Sequence, residues 1–141
     1  MISLGQAQTV ISAALAHARG AGARPLGIVV LDTGGHPVAF AREDGATFFR
    51  HDVARAKAYG ALGMGDDTRA LAERAKGNAA FFQSLTAVVG GQIAFSPGGV
   101  LVRNGAGTVI GAVGVSGDTG DMDEACATAG IKAAGFTGGP A

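Results

Sequence analysis

The chain has 141 residues, and its eleven basic and eleven acidic residues leave no net charge. This length fits one domain, residues 1–141, with its own hydrophobic core, and the balanced charge without a basic run argues against nucleic-acid binding. The single cysteine, Cys126, excludes an internal disulfide and a cysteine-based zinc site, and we interpret it as a small buried apolar residue. No segment of about 18 apolar residues is present to span a membrane. The N-terminus lacks the pattern of a signal peptide, which predicts a cytoplasmic protein unless such a peptide has been removed.

The elements follow from hydrophobic periodicity and from the breaks at glycine and proline. In chain order they are helix 4–19, strands 26–32 and 36–42, helices 47–64, 68–76 and 79–89, strands 92–95, 100–103 and 108–115, and helix 121–134. Tight turns within both groups of strands require antiparallel pairing, and the helices must cover the faces of the sheet. The sequence therefore predicts an α+β fold with a five-stranded antiparallel sheet flanked by helices, in the order α-β-β-α-α-α-β-β-β-α.

The last two strands and the loop after them form the best candidate edge of a site. Asn104-Gly105 is a strong turn signal between these strands. Glycines then interrupt the second strand at intervals of three, at Gly111, Gly114 and Gly117. Asp121, followed three residues later by Glu124, is typical of a capping box at the start of the last helix. A glycine-rich loop thus leads into a helix N-terminus, whose free N–H groups and partial positive charge favour anions.

Helix 47–64 carries two cations on a stripe that otherwise looks buried. Arg50 and Lys57 share that stripe with apolar side chains, namely Val53, Ala54, Ala61 and Met64. An unpaired buried charge is costly, so these cations need an anionic partner. One interpretation is an internal ion pair of Lys57 with Asp44, Asp123 or Glu124. The other is an anion or carboxylate site formed by Arg50, Lys57 and the glycine-rich helix N-terminus.

The histidines are too few and too scattered for a zinc site, so we expect no metal bound by a cluster of side chains. A single histidine can still bind haem iron axially. His51, in the first turn of helix 47–64, is the first candidate and His36, at a hairpin turn, is the second, whereas His17 is expected on a solvated helix face. The pairs Phe48-Phe49 and Phe81-Phe82 can line a flat apolar ligand, although core packing is their commoner use.

Four segments of the chain together resemble the GlcG/HbpS family of small haem-binding, or "haem-degrading-domain", proteins. They are LDTGGHPVAFAREDGA, ARAKAYGALGMG, AERAKGNAAFFQSL and SPGGVLVRNGAGTVIGAVGVSGDTGDMDEACA, and the resemblance covers nearly the whole chain. It implies a profilin-like fold, symmetric homo-oligomers built from dimers, and non-covalent binding of haem or another tetrapyrrole.

The positions that match the family best lie at the ends of loops and helices, which suggests one shared pocket, with a subunit interface as one location for it. They are Asp44, Gly45, Ala46, Lys57, Pro97, Gly98, Gly99, Gly114, Val115, Ser116, Gly117, Asp123 and Glu124.

The first functional hypothesis is a small-molecule-binding protein with a haem-type ligand. The phenylalanine pairs would supply apolar walls, and Arg50 and Lys57 would bind the propionates. His51 or His36 would ligate the iron. This hypothesis is favoured because of the family resemblance.

The second hypothesis is an enzyme that acts on a small carboxylate, such as a 2-oxo acid or a muconate-like ring-cleavage product, in a catabolic pathway. Arg50 would bind the carboxylate, and the amides of residues 114–117 would stabilise developing negative charge. Lys57, Asp44 or Glu124 would transfer a proton. A third hypothesis is an oligomeric accessory protein whose charges only pair with one another.

Overall fold

The chain forms five helices and four strands within residues 1–140, the part that the computed structural model describes. The helices are α1 (Leu4–Ala21), α2 (Phe49–Met64), α3 (Thr68–Gly77), α4 (Ala79–Val88) and α5 (Gly120–Ala133). The strands are β1 (Gly27–Leu31), β2 (Pro37–Arg42), β3 (Gly99–Arg103) and β4 (Val109–Ser116). The predicted α+β fold, with an antiparallel sheet and flanking helices, is confirmed.

The sheet has the order β2-β1-β4-β3, and every neighbouring pair is antiparallel. Helices α1 and α5 cover one face, where alternate residues such as Ile28 and Val113 join the main core. Helix α2 covers the other face, where Val29 and Leu31 pack against its alanines. Strand β1 is buried along its whole length because helices lie on both sides of it.

The predicted strand 92–95 is wrong, so the sheet has four strands and not five. The outer edge of β3 is already occupied: Thr68 Oγ1 and Asp67 Oδ1 accept hydrogen bonds from the Gly99 and Leu101 N–H groups at 2.8 and 2.9 Å. Thr137 pairs with Arg103 further along the same edge. Residues 92–95 instead form an irregular segment whose side chains pack on helices.

Helix α2 lies unusually close to the sheet because glycines face it. A Cβ atom on Gly114 would lie 1.8 Å from the Ala54 carbonyl oxygen, and one on Gly99 would lie 2.4 Å from the Lys57 carbonyl oxygen. Both distances are far shorter than van der Waals contact, so these positions require glycine. The close packing of α2 therefore explains why β4 has a glycine at position 114.

Helix α5 begins one residue earlier than predicted and has a different cap. Its N-cap is Thr119, whose Oγ1 accepts a hydrogen bond from the Met122 N–H at 3.2 Å. Asp121, the predicted cap, lies inside the first turn and forms an ion pair with Arg69. Within residues 1–140, no helix combines the length and the apolar character needed to cross a bilayer.

Candidate functional site

A buried ion pair lies between α2 and the start of α5. Lys57 Nζ donates to Asp123 Oδ2 at 3.0 Å and to the Val115 carbonyl oxygen at 2.9 Å. The two side chains are 3% and 2% exposed. The Asp118 N–H donates to the other carboxylate oxygen of Asp123 at 3.0 Å. Of the three carboxylates considered from the sequence, Asp123 is therefore the partner of Lys57.

Burial dominates the electrostatics of this pair. It lowers the pKa of the Lys57 ammonium group, and the attraction of Asp123 opposes that change. It also raises the pKa of Asp123, where the attraction of Lys57 acts in the opposite direction. Gly98 closes the site, since a Cβ atom there would lie 2.9 Å from Lys57 Nζ. Lys57 is thus enclosed by protein and does not reach a surface ligand in this arrangement.

Glu124 belongs to a second ion pair that the sequence analysis missed. Arg69 Nε lies 3.0 Å from both carboxylate oxygens of Glu124, and its Nη2 donates to Asp121. Hydrogen bonds to Glu124 are the main reason why the pKa of the Arg69 guanidinium is raised. Arg69 is 55 residues away from Glu124 in the sequence, and its position in the first turn of a polar helix gives no local signal of this contact.

The glycine-rich end of β4 is engaged in the sheet. Gly114 is paired with Val29 and Gly99, and the Val115 N–H donates to the Gly98 carbonyl oxygen at 2.9 Å. These two residues therefore already take part in the backbone pairing of the sheet. Gly117 follows the strand with φ +152°, and a Cβ atom there would lie 2.4 Å from the Pro25 carbonyl oxygen.

Arg50 lies at the N-terminal end of α2, beside a cleft between three loops. Its Nε donates to Thr47 Oγ1 at 3.2 Å and its Nη1 donates to the buried Ser116 Oγ at 3.1 Å. The cleft has a volume of about 300 Å³. It is lined by Arg24, Pro25, Gly45, Ala46, Thr47, Arg50, Gly117 and Asp118. The expected meeting of the DGA loop with residues 114–117 is thus seen in part, whereas Lys57 and Asp123 lie outside the lining and Asp44 is exposed.

His51 lies in a different pocket, between α2 and the edge strand β2. This pocket has a volume of about 540 Å³ and is lined by Phe40, Ala41, Arg42, Phe48 and His51. The ring centroids of Phe40 and His51 are 4.5 Å apart in an edge-to-face arrangement. Phe48 is 68% exposed, so its ring is available to a ligand. The pocket combines one imidazole, two exposed aromatic rings and one guanidinium.

The other two histidines have different surroundings. His36 is at the hairpin turn with its side chain 78% exposed, and its Nδ1 lies 3.4 Å from Asp32 Oδ1. His17 lines a cavity of about 410 Å³ together with charged residues of α3 and α5, among them Arg69 and Glu124. Within residues 1–140, no three histidine, cysteine or acidic side chains are grouped closely enough to hold a metal ion.

A comparison with known protein families shows the family to which the chain belongs. Residues 2–132 match the family described as "Haem degrading protein HbpS-like". The chain belongs to this family. The resemblance inferred from the sequence motifs is thereby confirmed, and it extends over nearly the whole chain.

Solved structures agree with this assignment. The crystal structure of HbpS is 30% identical, with a TM-score of 0.78 over 93% of this chain and 88% of that chain. Protein ORFY of Klebsiella pneumoniae is 26% identical, with a TM-score of 0.86 over 95% of this chain and 90% of that chain. A PduOC:heme complex shares the fold, with 24% identity and a TM-score of 0.86 over 96% of both chains. No curated protein sequence matches the chain significantly.

Proposed function

We propose that this HbpS-like protein binds haem or another tetrapyrrole in the pocket between α2 and β2, with His51 as the axial ligand. The observation that carries the proposal is the position of the His51 imidazole in an open pocket with Phe40 and Phe48. Exposed aromatic side chains around a concave site with a few polar groups are typical of a ligand pocket. Membership of a family named for haem degradation supports the same ligand.

The side chains of this pocket fit the chemistry of haem. A neutral imidazole nitrogen is a common axial ligand of haem iron. The rings of Phe40 and Phe48 offer apolar surface for the macrocycle, and the exposed Phe49 ring packs on Phe48 with centroids 4.9 Å apart. Arg42 supplies a cation for a propionate. When haem is bound, its iron supplies the redox and ligand-binding chemistry, and the chain supplies the ligand, the apolar walls and the charge.

His51 is favoured over the other two histidines for physical reasons. The His36 side chain is held near the Asp32 carboxylate and stands at an exposed turn. The cavity beside His17 contains two carboxylates, Asp121 and Glu124, and no aromatic side chain among its lining residues. Neither environment offers the flat apolar surface that a macrocycle needs.

Proton-transfer catalysis on a small carboxylate has less support. A proton donor would have to share the cleft with Arg50, but Lys57 is enclosed with Asp123 and Glu124 is held by Arg69. The roles of Lys57, Glu124 and the exposed Asp44 as catalytic groups therefore stay predictions without a supporting contact.

A haem titration of the purified protein followed by visible absorption tests the proposal. The expected result is a saturable Soret shift for the wild type, the His36→Ala variant and the His17→Ala variant, and loss of that shift in His51→Ala. Phe48→Ala should weaken binding while leaving the position of the Soret band unchanged, since the ring packs on the macrocycle without ligating the iron. If the shift survives in His51→Ala and disappears in His36→Ala or His17→Ala, the histidine replaced in that variant is the axial ligand and the proposed site is wrong. A shift indifferent to all three variants would refute axial ligation by histidine.

A further inference from the structure

The cleft beside Arg50 is separate in its lining from the pocket of His51. Three loops form it: the one that joins α1 to β1, the one that joins β2 to α2, and the one that joins β4 to α5. Gly45 has φ +86° and Gly117 has φ +152°, both in the region that favours glycine. A Cβ atom on Gly117 would lie 2.4 Å from the Pro25 carbonyl oxygen, so two of these loops approach closely and the backbone itself forms part of the wall.

The guanidinium of Arg50 faces this cleft with its charge unpaired. Its two hydrogen bonds go to the neutral hydroxyl groups of Thr47 and Ser116. Within residues 1–140, Arg50 Nη2 has no hydrogen-bond partner and no carboxylate oxygen lies within 4.0 Å of the guanidinium. Ser116 is buried and belongs to β4, so it fixes one side of the guanidinium and leaves the other side available. A partly buried, pre-oriented guanidinium is suited to bind a planar anion.

The charges around the cleft favour a monoanion as the ligand. Arg24 and Asp118 also line it, and the Arg24 N–H donates to Asp118 Oδ2 at 2.7 Å. That hydrogen bond is the main reason why the pKa of Asp118 is held below its usual value, so the carboxylate stays charged at neutral pH. Two cations and one anion leave the lining with one net positive charge.

The volume and the apolar wall of the cleft favour a small ligand with an apolar part. A cleft of about 300 Å³ lies at the small end of ligand pockets. Pro25 and Ala46 add apolar surface beside the guanidinium. We propose that this cleft is a binding site for a small monocarboxylate, whose carboxylate group is held by Arg50 and whose short apolar part lies against Pro25 and Ala46.

Titration of ¹⁵N-labelled protein with sodium acetate, sodium pyruvate and sodium phosphate, followed by amide chemical shifts, tests this site. We expect saturable shifts at Gly45, Ala46 and Gly117 with either carboxylate, measured against sodium chloride at equal ionic strength. Arg50→Met should weaken the binding by about tenfold or more, because a charge-assisted hydrogen bond is lost. Arg55→Met removes a cation from the same helix outside this cleft and should bind as the wild type does.

A second variant keeps the test independent of any loss of folding in Arg50→Met. Ala46→Glu places a carboxylate in the cleft while keeping Arg50 and its hydrogen bonds, and it should also abolish the shifts. The proposal is overturned if neither carboxylate produces saturable shifts, if binding is equal in Arg50→Met and Arg55→Met, or if phosphate alone binds.

Discussion

Replacement of Lys57 by methionine tests whether the buried pair is a structural necessity. Methionine has a similar length and fits an apolar site, so the packing between α2 and the sheet is largely kept. The variant removes the ammonium group that compensates Asp123, whose side chain is 2% exposed. It also leaves the Val115 carbonyl oxygen without the hydrogen bond from Nζ.

The magnitude follows from the burial of the partner that remains. Removal of one member of a buried ion pair costs about 3–5 kcal/mol, because the other charge is left without compensation. Asp123 keeps the hydrogen bond from the Asp118 N–H, and burial already raises its pKa, so uptake of a proton relieves part of the cost. We therefore expect a loss near the lower end of that range. For a chain of 141 residues this corresponds to a fall in Tm of about 10 °C.

Urea denaturation followed by far-UV circular dichroism measures the effect. Lys76→Met is the matched control, since Lys76 pairs with Glu73 at the surface, where both side chains are more than two-thirds exposed. An exposed pair contributes about 0–1 kcal/mol, so this variant should be close to the wild type. The double variant Lys57→Met/Asp123→Leu should be more stable than Lys57→Met, because no uncompensated charge is left. A loss below about 1 kcal/mol for Lys57→Met would refute the argument from burial.

Three further predictions concern charge, reactivity and assembly. The pKa of Asp118 is lowered mainly by the Arg24 N–H, so its contribution to stability is present above its unfolded value of 3.8 and is lost as the pH falls through the folded value. Asp118→Asn should therefore reduce the acid-induced decrease in Tm, and an unchanged decrease would contradict this. Burial raises the pKa of the Cys126 thiol to about 11, so a thiol reagent should modify it slowly in the native protein and rapidly in urea; rapid native modification would disprove its burial. We also propose a homo-oligomer that buries the apolar face of α4, where Phe81 and Val88 are 49% and 81% exposed. The double variant Phe81→Lys/Val88→Lys should then have a lower molar mass in light scattering than the wild type. An unchanged mass would count against this face.

The sequence was informative where periodicity and local chemistry act together. The spacing of apolar residues along α2 correctly placed Ala54, Lys57 and Ala61 on its buried face. Val53 and Met64, which were expected on the same face, are half-buried. A buried Lys57 needs an anionic partner, but its position in the sequence did not single out Asp123. That residue lies 66 positions further along the chain, and only the packing of α5 beside β4 brings the two charges together.

The incorrect strand 92–95 shows why local propensity is insufficient. A run such as Ile93 to Phe95 can form a strand only where a free sheet edge is available. The edge of β3 is taken by Asp67 and Thr68 at the start of α3, and that contact depends on how α3 folds back after α2. Ile93 packs against Gly60 instead, and a Cβ atom on Gly60 would lie 2.6 Å from the Ile93 side chain.

The position of helix α2 explains why substitutions in the buried pair and in the two proposed sites should have separate effects. Its central face, with Lys57, is pressed against the glycines of β3 and β4, so that charge is compensated within the protein. In its first turn, where Arg50 contacts Gly27 of β1 and Ser116 of β4, Arg50 and His51 line different pockets. Substitutions at Lys57 should therefore change stability, while substitutions at Arg50 and His51 should change the binding of different ligands. Loss of haem binding in Arg50→Met, without a change in stability, would show instead that the two pockets act as one site.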